Sequence, residues 1–308
     1  MASRPDWLLI DGSSLIFRAY FGVPNSVRAP DGRLVNGVRG FLDTLARLIF
    51  TRRPARLAVA SDEDWRPKHR VALIPSYKAH RVAEPIPPEL DPQMPLIAAV
   101  LEALGLDFVG APTLEAEDVI ASWVEQLEGA RIEIVSGDRD LFALVRDPLV
   151  RVLYPERGGL AEVDESAVTR RYGIPGRLYA DFAVLRGDPS DGLPGLPGVG
   201  AKTAASLVTK YQGVASLLEA GRLSAADADY VRKALEVVKP GSSKPVPVPP
   251  GRRDSYPADP ARLVALSEEL GLDSSLEKLL QALQSVAAPR PPLGQGSASS
   301  APGQGGEV

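Results

Sequence analysis

The first 163 residues alternate short apolar runs with longer stretches of helical apolar spacing, the pattern of a mostly parallel α/β sheet with helices on both faces. Leu8–Ile10 predicts a strand, and Val38, Phe41, Leu42, Leu45, Leu48 and Ile49 mark a helix over 37–50. A strand at 57–60, a helix over 96–104 stopped by Gly105, a short strand near Phe108 and an amphipathic helix over 114–127 follow. A strand at 132–135, a helix opening at Asp140 and a strand at 150–154 complete this half. Beyond Asp164 the pattern changes to helices and tight turns without a clear strand. Residues 239–259 are Pro-rich, 260–284 predicts one or two closing helices, and the Gly, Ser, Pro and Gln tail at 289–308 is expected to be disordered.

Four apolar runs lead straight into an aspartate: WLLI before Asp11, LAVAS before Asp62, IEIVSG before Asp138 and FAVLRG before Asp188. Asp140 and Asp191 follow the last two closely, and Glu115, Glu117 and Asp118 lie between the second and third runs. Ligands of parallel sheets bind beyond the carboxyl ends of the strands, where Asp11, Asp62 and Asp138 fall. Each acid alone has a structural reading, as a turn former, a helix cap or a complement to the helix dipole. Gathered in one cleft they repel, since two unit charges about 4 Å apart cost roughly 1 kcal/mol in water and about 4 near a protein surface. The ensemble therefore predicts bound cations. Oxygen donors in a chain without cysteine suit hard ions such as Mg2+ or Mn2+, completed by substrate phosphate.

Composition changes this picture little. With 308 residues, 44% hydrophobic and 24% charged, the chain can build one large domain and a smaller one. The absence of cysteine excludes disulfides, thiolate metal sites and thiol nucleophiles. No apolar run is long enough to span a membrane and the N-terminus lacks a signal-peptide pattern, so a cytoplasmic location is expected. A net charge of -4 is not the usual footprint of a nucleic-acid binder, but its distribution matters more than its sum. Residues 65–81 carry Arg66, Lys68, His69, Arg70, Lys78, His80 and Arg81 with no acid among them, starting three residues after Asp62. Such a run often makes only a solvated face.

The string GDPSDGLPGLPGVGAKTAASLV, residues 187–208, predicts a compact Gly- and Pro-rich hairpin entering a helix near Ala201. Bare amides at that helix start can approach a phosphate, and Lys202 adds a point charge. This is a helix-hairpin-helix pattern, which grips backbone phosphates without reading bases.

The strings IDGSSLIFRAYFG, YKAHR, LEAEDVIASW, VSGDRDLFAL and LRGDPSDGLPGLPGVGAKTA, in this order, resemble the bacterial 5′ nuclease and flap endonuclease family, which includes the N-terminal nuclease domain of DNA polymerase I. The resemblance covers about residues 6–285. It implies a PIN-like nuclease domain over 1–163 with a helical arch at about 65–95, and a helical DNA-binding region over 164–288. Within that region a helix-two-turn-helix element lies at about 179–210. It also implies an acidic set of Asp11, Asp62, Glu115, Glu117, Asp118, Asp138, Asp140, Asp188 and Asp191 holding two or more Mg2+ or Mn2+ ions. Asp11, Asp62, Glu115 and Asp118 are expected at the tighter site, with Asp138, Asp140, Asp188 and Asp191 at the second.

The implied reaction is two-metal hydrolysis of DNA phosphodiester bonds at a 5′ flap or free 5′ end. Lys78, Arg70, Arg81 and Arg18 are expected at the scissile phosphate, with Tyr77 beside them on the DNA. Phe17 and Tyr20 are expected to stack on a flanking base, and Phe17 also has a core reading. Gly195, Gly198, Val199, Gly200, Lys202 and Thr203 would hold the duplex, with a K+ ion in the hairpin. Two positions depart from the family pattern: Glu117 stands where an aspartate is usual, and Gly192 where an asparagine is common. No polymerase segment follows in these residues, so the nuclease is expected to work either alone or beside separate replication and repair proteins such as a polymerase and a ligase; a monomer is expected. A PIN-type ribonuclease needs fewer acids and no hairpin; a non-catalytic DNA-binding scaffold would be indifferent to divalent metal.

Overall fold

The computed structural model describes residues 4–83, 86–241 and 245–287; the tail expected to be disordered lies outside them. Strands β1 (Trp7–Asp11), β2 (Arg56–Ala60), β3 (Phe108–Val109), β4 (Ile132–Val135), β5 (Val150–Glu156) and β6 (Gly159–Val163) form one sheet in the order β3-β2-β1-β4-β5-β6. The first five run parallel, and β6 is antiparallel to β5. The helices in chain order are α1 (Gly12–Gly22), α2 (Asn36–Arg52), α3 (Lys68–Leu73), α4 (His80–Ala83), α5 (Gln93–Leu104), α6 (Ala116–Gln126) and α7 (Glu165–Tyr172). They continue with α8 (Tyr179–Arg186), α9 (Ala201–Tyr211), α10 (Val214–Glu219), α11 (Ala225–Val238), α12 (Pro260–Leu270) and α13 (Asp273–Ala287). None of the described helices is long and apolar enough to cross a membrane.

Both faces of the sheet are covered, which is why the β1 residues WLLI read as an unbroken apolar run. Trp7 and Leu9 enter one core with α6 to α11, while Leu8 and Ile10 enter another with α1, α2, α5, α12 and α13. The chain moves outward from β1 to β2 and β3, then crosses back to β4 on the other side of β1. That reversal opens a crevice beyond the carboxyl ends of β1, β2 and β4.

Several elements differ from the sequence expectations. Residues 12–22 form a helix that the pattern reading passed over, because its Gly-Ser-Ser start has weak helix propensity; Asp11 supplies the missing cap. Strand β6 was also unexpected: Arg157 and Gly158 make a tight turn that folds 159–163 back on β5. The helix expected from Asp140 is a short 3-10 turn ending at Leu144. The described part of the segment expected to arch over the cleft is two short helices, α3 and α4, and it docks downward, with Arg70, Ile74, Tyr77 and Lys78 buried.

The boundary at 164–288 also needs correction. Leu263, Leu266, Leu270, Leu276, Leu279 and Leu283 pack with Leu8, Phe41 and Leu42, so α12 and α13 complete the first domain's second face. Their amphipathic stripes fit either partner, and only tertiary packing chooses between them.

Candidate metal centre and nucleic-acid interface

Asp11 ends β1 and caps α1, accepting hydrogen bonds from the Ser14 N–H at 3.0 Å and from the Ser136 hydroxyl. The turn between them needs Gly12, because a Cβ there would lie 2.7 Å from the Ala60 carbonyl oxygen. Asp62, just past β2, accepts the Ala116 N–H at 2.7 Å, and its own N–H donates to Ser13 Oγ at 3.0 Å. Burial, followed by the charge of Asp62, pushes the Asp11 carboxyl up to about 7. Burial also raises Asp62, against the Ala116 hydrogen bond. At the start of α6, Glu115 and Asp118 form a capping box, with the Glu115 N–H donating to Asp118 Oδ2 at 3.1 Å.

Glu117 from α6, with Asp138 and Asp140 from the loop after β4, each offer one carboxylate oxygen, all within 4.8 Å of one another. Glu117 is hydrogen-bonded to Asp138, and Asp140 to Asp191. Burial holds Asp138 and Asp140 well above the usual carboxylate range, and neighbouring acids add to it: Glu117 and Asp191 for Asp138, Asp138 and Asp191 for Asp140. Burial would also raise Glu117, but Lys78 and Arg70 outweigh it and hold that group at about 2. Carboxyls in direct contact must share either protons or a cation. Their oxygen-only donor set fits a hard divalent ion. Asp138 and Asp140 come from the expected second set, whereas Glu117 had been assigned to neither site; its longer side chain is what reaches from α6 to Asp138.

Arg70 is 2% exposed and donates to Glu115, to Glu117 at 2.7 Å and to Asp118 at 2.6 Å. Tyr77 donates its hydroxyl to Glu115 at 2.6 Å. Arg70 and Tyr77, expected on the DNA, are instead withdrawn into the protein, because buried carboxylates require paired partners. Lys78 is equally buried, bonded to Glu115 and 4.0 Å from Asp191, yet it lines the floor of the cleft. Its burial disfavours charge, but Glu117 and Glu115 overcome this and hold its pKa well above the ordinary lysine value. Lys78 also adopts a left-handed backbone with φ of 45°.

The cleft is a cavity of about 560 Å³ whose lining combines Asp11, Asp62, Glu117 and Asp138 with Arg18, Arg81, Phe17, Phe21 and Trp65. Phe17 lies 5.8 Å from Trp65, ring centre to ring centre. Phe21 and Trp65 were not singled out from the sequence; Phe21 is 72% exposed, a large aromatic at the polar edge of an otherwise amphipathic helix. Tyr20, expected to stack on a base, packs in the core instead, since α1 turns that position toward the sheet.

Asp188 is placed differently from the other acids. Arg139 and Arg186 contact its carboxylate at 3.1 Å, and Ser190 donates to it, so it fastens the 187–193 turn rather than facing the trio. This turn docks against the YKAHR segment, with the Lys78 N–H donating to the Asp191 carbonyl at 2.9 Å. Gly192, at φ 72°, is required there, because a Cβ would fall 2.0 Å from the Ser76 carbonyl oxygen.

The hairpin joins α8 to α9. Its Gly195 N–H donates to the Tyr230 hydroxyl at 2.9 Å, which donates onward to the Val184 carbonyl at 3.3 Å. Tyr230 thus braces the hairpin from α11, a role with no local sequence signal. Gly198, Gly200, Lys202 and Thr203 are exposed, and Val199 is half-buried. No side chain caps the N-terminus of α9, so its first amides are free for an anion.

Residues 6–173 match the family described as 5'-3' exonuclease, N-terminal resolvase-like domain, and residues 174–239 match the 5'-3' exonuclease, C-terminal SAM fold. The chain belongs to the 5'-3' exonuclease family. A 5'-3' exonuclease of Streptomyces coelicolor is 47% identical over 301 residues, covering 90% of this chain and 99% of that protein. A 5'-3' exonuclease of Mycobacterium tuberculosis is 44% identical over 321 residues, covering 92% and 99%. DNA polymerase I of Mycobacterium tuberculosis is 41% identical over 222 residues, 70% of this chain but 24% of the polymerase. Among solved structures, the bacteriophage T5 flap endonuclease in a pseudo-enzyme–product complex with DNA and metal ions superposes with a TM-score of 0.62 at 17% identity, covering 91% of this chain and 98% of that one. The flap endonuclease-1 of Methanococcus jannaschii gives 0.57 at 16%, covering 92% and 94%. These structural likenesses establish the shared fold: a resolvase-like, PIN-type sheet domain with a SAM-like helical domain.

Proposed function

We propose that this member of the 5'-3' exonuclease family is a structure-specific 5′ nuclease that hydrolyses DNA phosphodiester bonds at a free 5′ end or 5′ flap with divalent metal. The observation that carries the reading is the convergence of Glu117, Asp138 and Asp140 oxygens within 4.8 Å, with Glu117 and Asp138 lining a cleft that arginines and aromatics also line. Glu117, Asp138 and Asp140, with Asp191 hydrogen-bonded to Asp140, would hold Mg2+ or Mn2+, and Asp11 and Asp62 line the adjoining wall. Divalent ions held there would supply positive charge to lower the pKa of a bound water and to offset charge on the departing 3′ oxygen.

The chain's own groups orient the substrate. Arg81 and Arg18, facing the cavity, and Lys78, rising from its floor, offset charge on the scissile phosphate. Phe17, paired with Trp65, offers a face on which a flanking base stacks. Free amides at the start of α9, with Lys202, hold the duplex backbone, and a K+ ion would sit in the hairpin. Action beside a separate polymerase and ligase, as a cytoplasmic monomer, belongs to the same proposal.

Replacing Asp138 tests the reading. Asp138→Asn should lower Mn2+-dependent cleavage of a labelled 5′ flap by about two orders of magnitude or more while flap binding persists. Wild-type cleavage by that variant removes Asp138 from the site, and equal activity without divalent ions sinks the metal mechanism. Matched RNA and DNA flaps fix the substrate sugar.

A further inference from the structure

Building on the metal-centre reading, we propose that the backbone N–H of Gly241 is a positioning group for that centre, presented by the Pro-rich strap that leaves α11. The Gly241 N–H donates to Asp118 Oδ1 at 3.1 Å. The same oxygen receives Arg70 at 2.6 Å, and Oδ2 receives the Glu115 N–H at 3.1 Å. Asp118 is 1% exposed, so these contacts fix the orientation of its carboxylate. Asp118 in turn shapes the first turn of α6, which carries Glu117 to Asp138 and Asp140. A tilt of that turn displaces Glu117's oxygen relative to the other two.

The strap is then pinned along α6. The Val246 N–H donates to Ser122 Oγ at 2.8 Å, Gln126 donates to the Val246 carbonyl at 2.8 Å, and the Trp123 indole donates to the Pro247 carbonyl at 3.1 Å. The helix bearing Glu117 is thereby held from its first turn to its last by a segment beyond the described SAM-fold match. Gly241 itself is not needed for space or for backbone geometry. A Cβ there meets no described residue within 4 Å, and its φ is not positive. What the position contributes is its N–H, which proline lacks and alanine keeps.

The test uses the full chain, with Mn2+ affinity read by titration calorimetry and kcat and KM read on a 5′ flap. Gly241→Ala should match wild type. Gly241→Pro should bind Mn2+ about 10- to 100-fold more weakly and lose kcat at unchanged KM for DNA, the range expected when support to a metal ligand set is removed. Adding Gly241→Pro to Asp118→Asn should cost nothing further, since both act through one contact. Ser122→Ala, which loosens the strap elsewhere, should lower the melting temperature without changing Mn2+ affinity.

Wild-type Mn2+ affinity in a folded Gly241→Pro protein overturns the proposal, and so does an equal loss in Gly241→Ala or Ser122→Ala. Should the proline variant not fold, amide hydrogen exchange on the unmodified sequence decides. The Gly241 N–H should be protected and should lose that protection in Asp118→Ala; a fast-exchanging Gly241 amide in the wild type overturns the inference. Undiminished Mn2+ affinity in Asp138→Asn would instead sink the underlying metal-centre reading, whatever Gly241 does.

Discussion

Asp11, Glu115 and Asp118 accept hydrogen bonds on both carboxylate oxygens, whereas Glu117, Asp138 and Asp140 turn an oxygen toward one another. Burial and Lys78 dominate the opposing influences on Glu115, which ends up raised to about 7, and burial raises Asp118 to about 6 against Arg70. Residue types were legible in the chain, but the occupancy of each oxygen was not, because partners such as Arg70, Ser136 and Gly241 are far away in sequence. The same holds for Gly192, which read as a departure from a pattern and proves to be a steric requirement. Gly192→Ala should destabilise the protein by about 1–3 kcal/mol, the usual cost of a non-glycine residue forced into strained backbone. It should also depress flap cleavage by displacing the Lys78 and Asp191 turn. Thermal melts and cleavage rates check this, and a fully active, equally stable variant would show that the Ser76 contact yields.

At the scale of elements, helix starts do most of the positioning. Asp11 caps α1 and, together with Gly12, draws that helix against β2, while the capping box of α6 places two acids at its first turn. The α9 start, unlike those of α1 and α6, has no side-chain cap, and the proposed phosphate contact falls there. Lys202→Ala should therefore reduce the slope of log affinity against log salt by about 1 without altering sequence preference, as loss of one phosphate contact does. Flap binding measured across a salt series reads this, and an unchanged slope detaches α9 from the DNA. Strand and helix periodicity located β1, β2, β4, α2, α5 and α6 correctly. It missed α1, whose opening residues favour turns, and β6, whose run is too short and too exposed to show a buried face.

For the molecule as a whole, the last described helices decide whether the first domain has a complete core. Six leucines of α12 and α13 are buried against α2, α5 and the sheet. Each contributes about 1.5–3 kcal/mol when fully buried, and a whole domain is stable by only about 5–15 kcal/mol. A chain ended after Lys239 should consequently lose its cooperative thermal transition, even though both matched family regions are retained. Circular dichroism melts check this, and a native-like transition in the truncated chain would mean the second face stands without them.

The sequence alone determined β1, β2, β4, α2, α5 and α6, the oxygen-only donors of the acidic set and the Gly- and Pro-rich hairpin, because periodicity, residue type and glycine spacing are local properties. Only the tertiary structure decided which carboxylates converge, that Arg70 and Tyr77 face inward, and that α12 and α13 close the first domain. Those outcomes depend on which distant groups reach each buried charge or apolar face first, and burial makes an unpaired charge or an uncovered face too costly to leave.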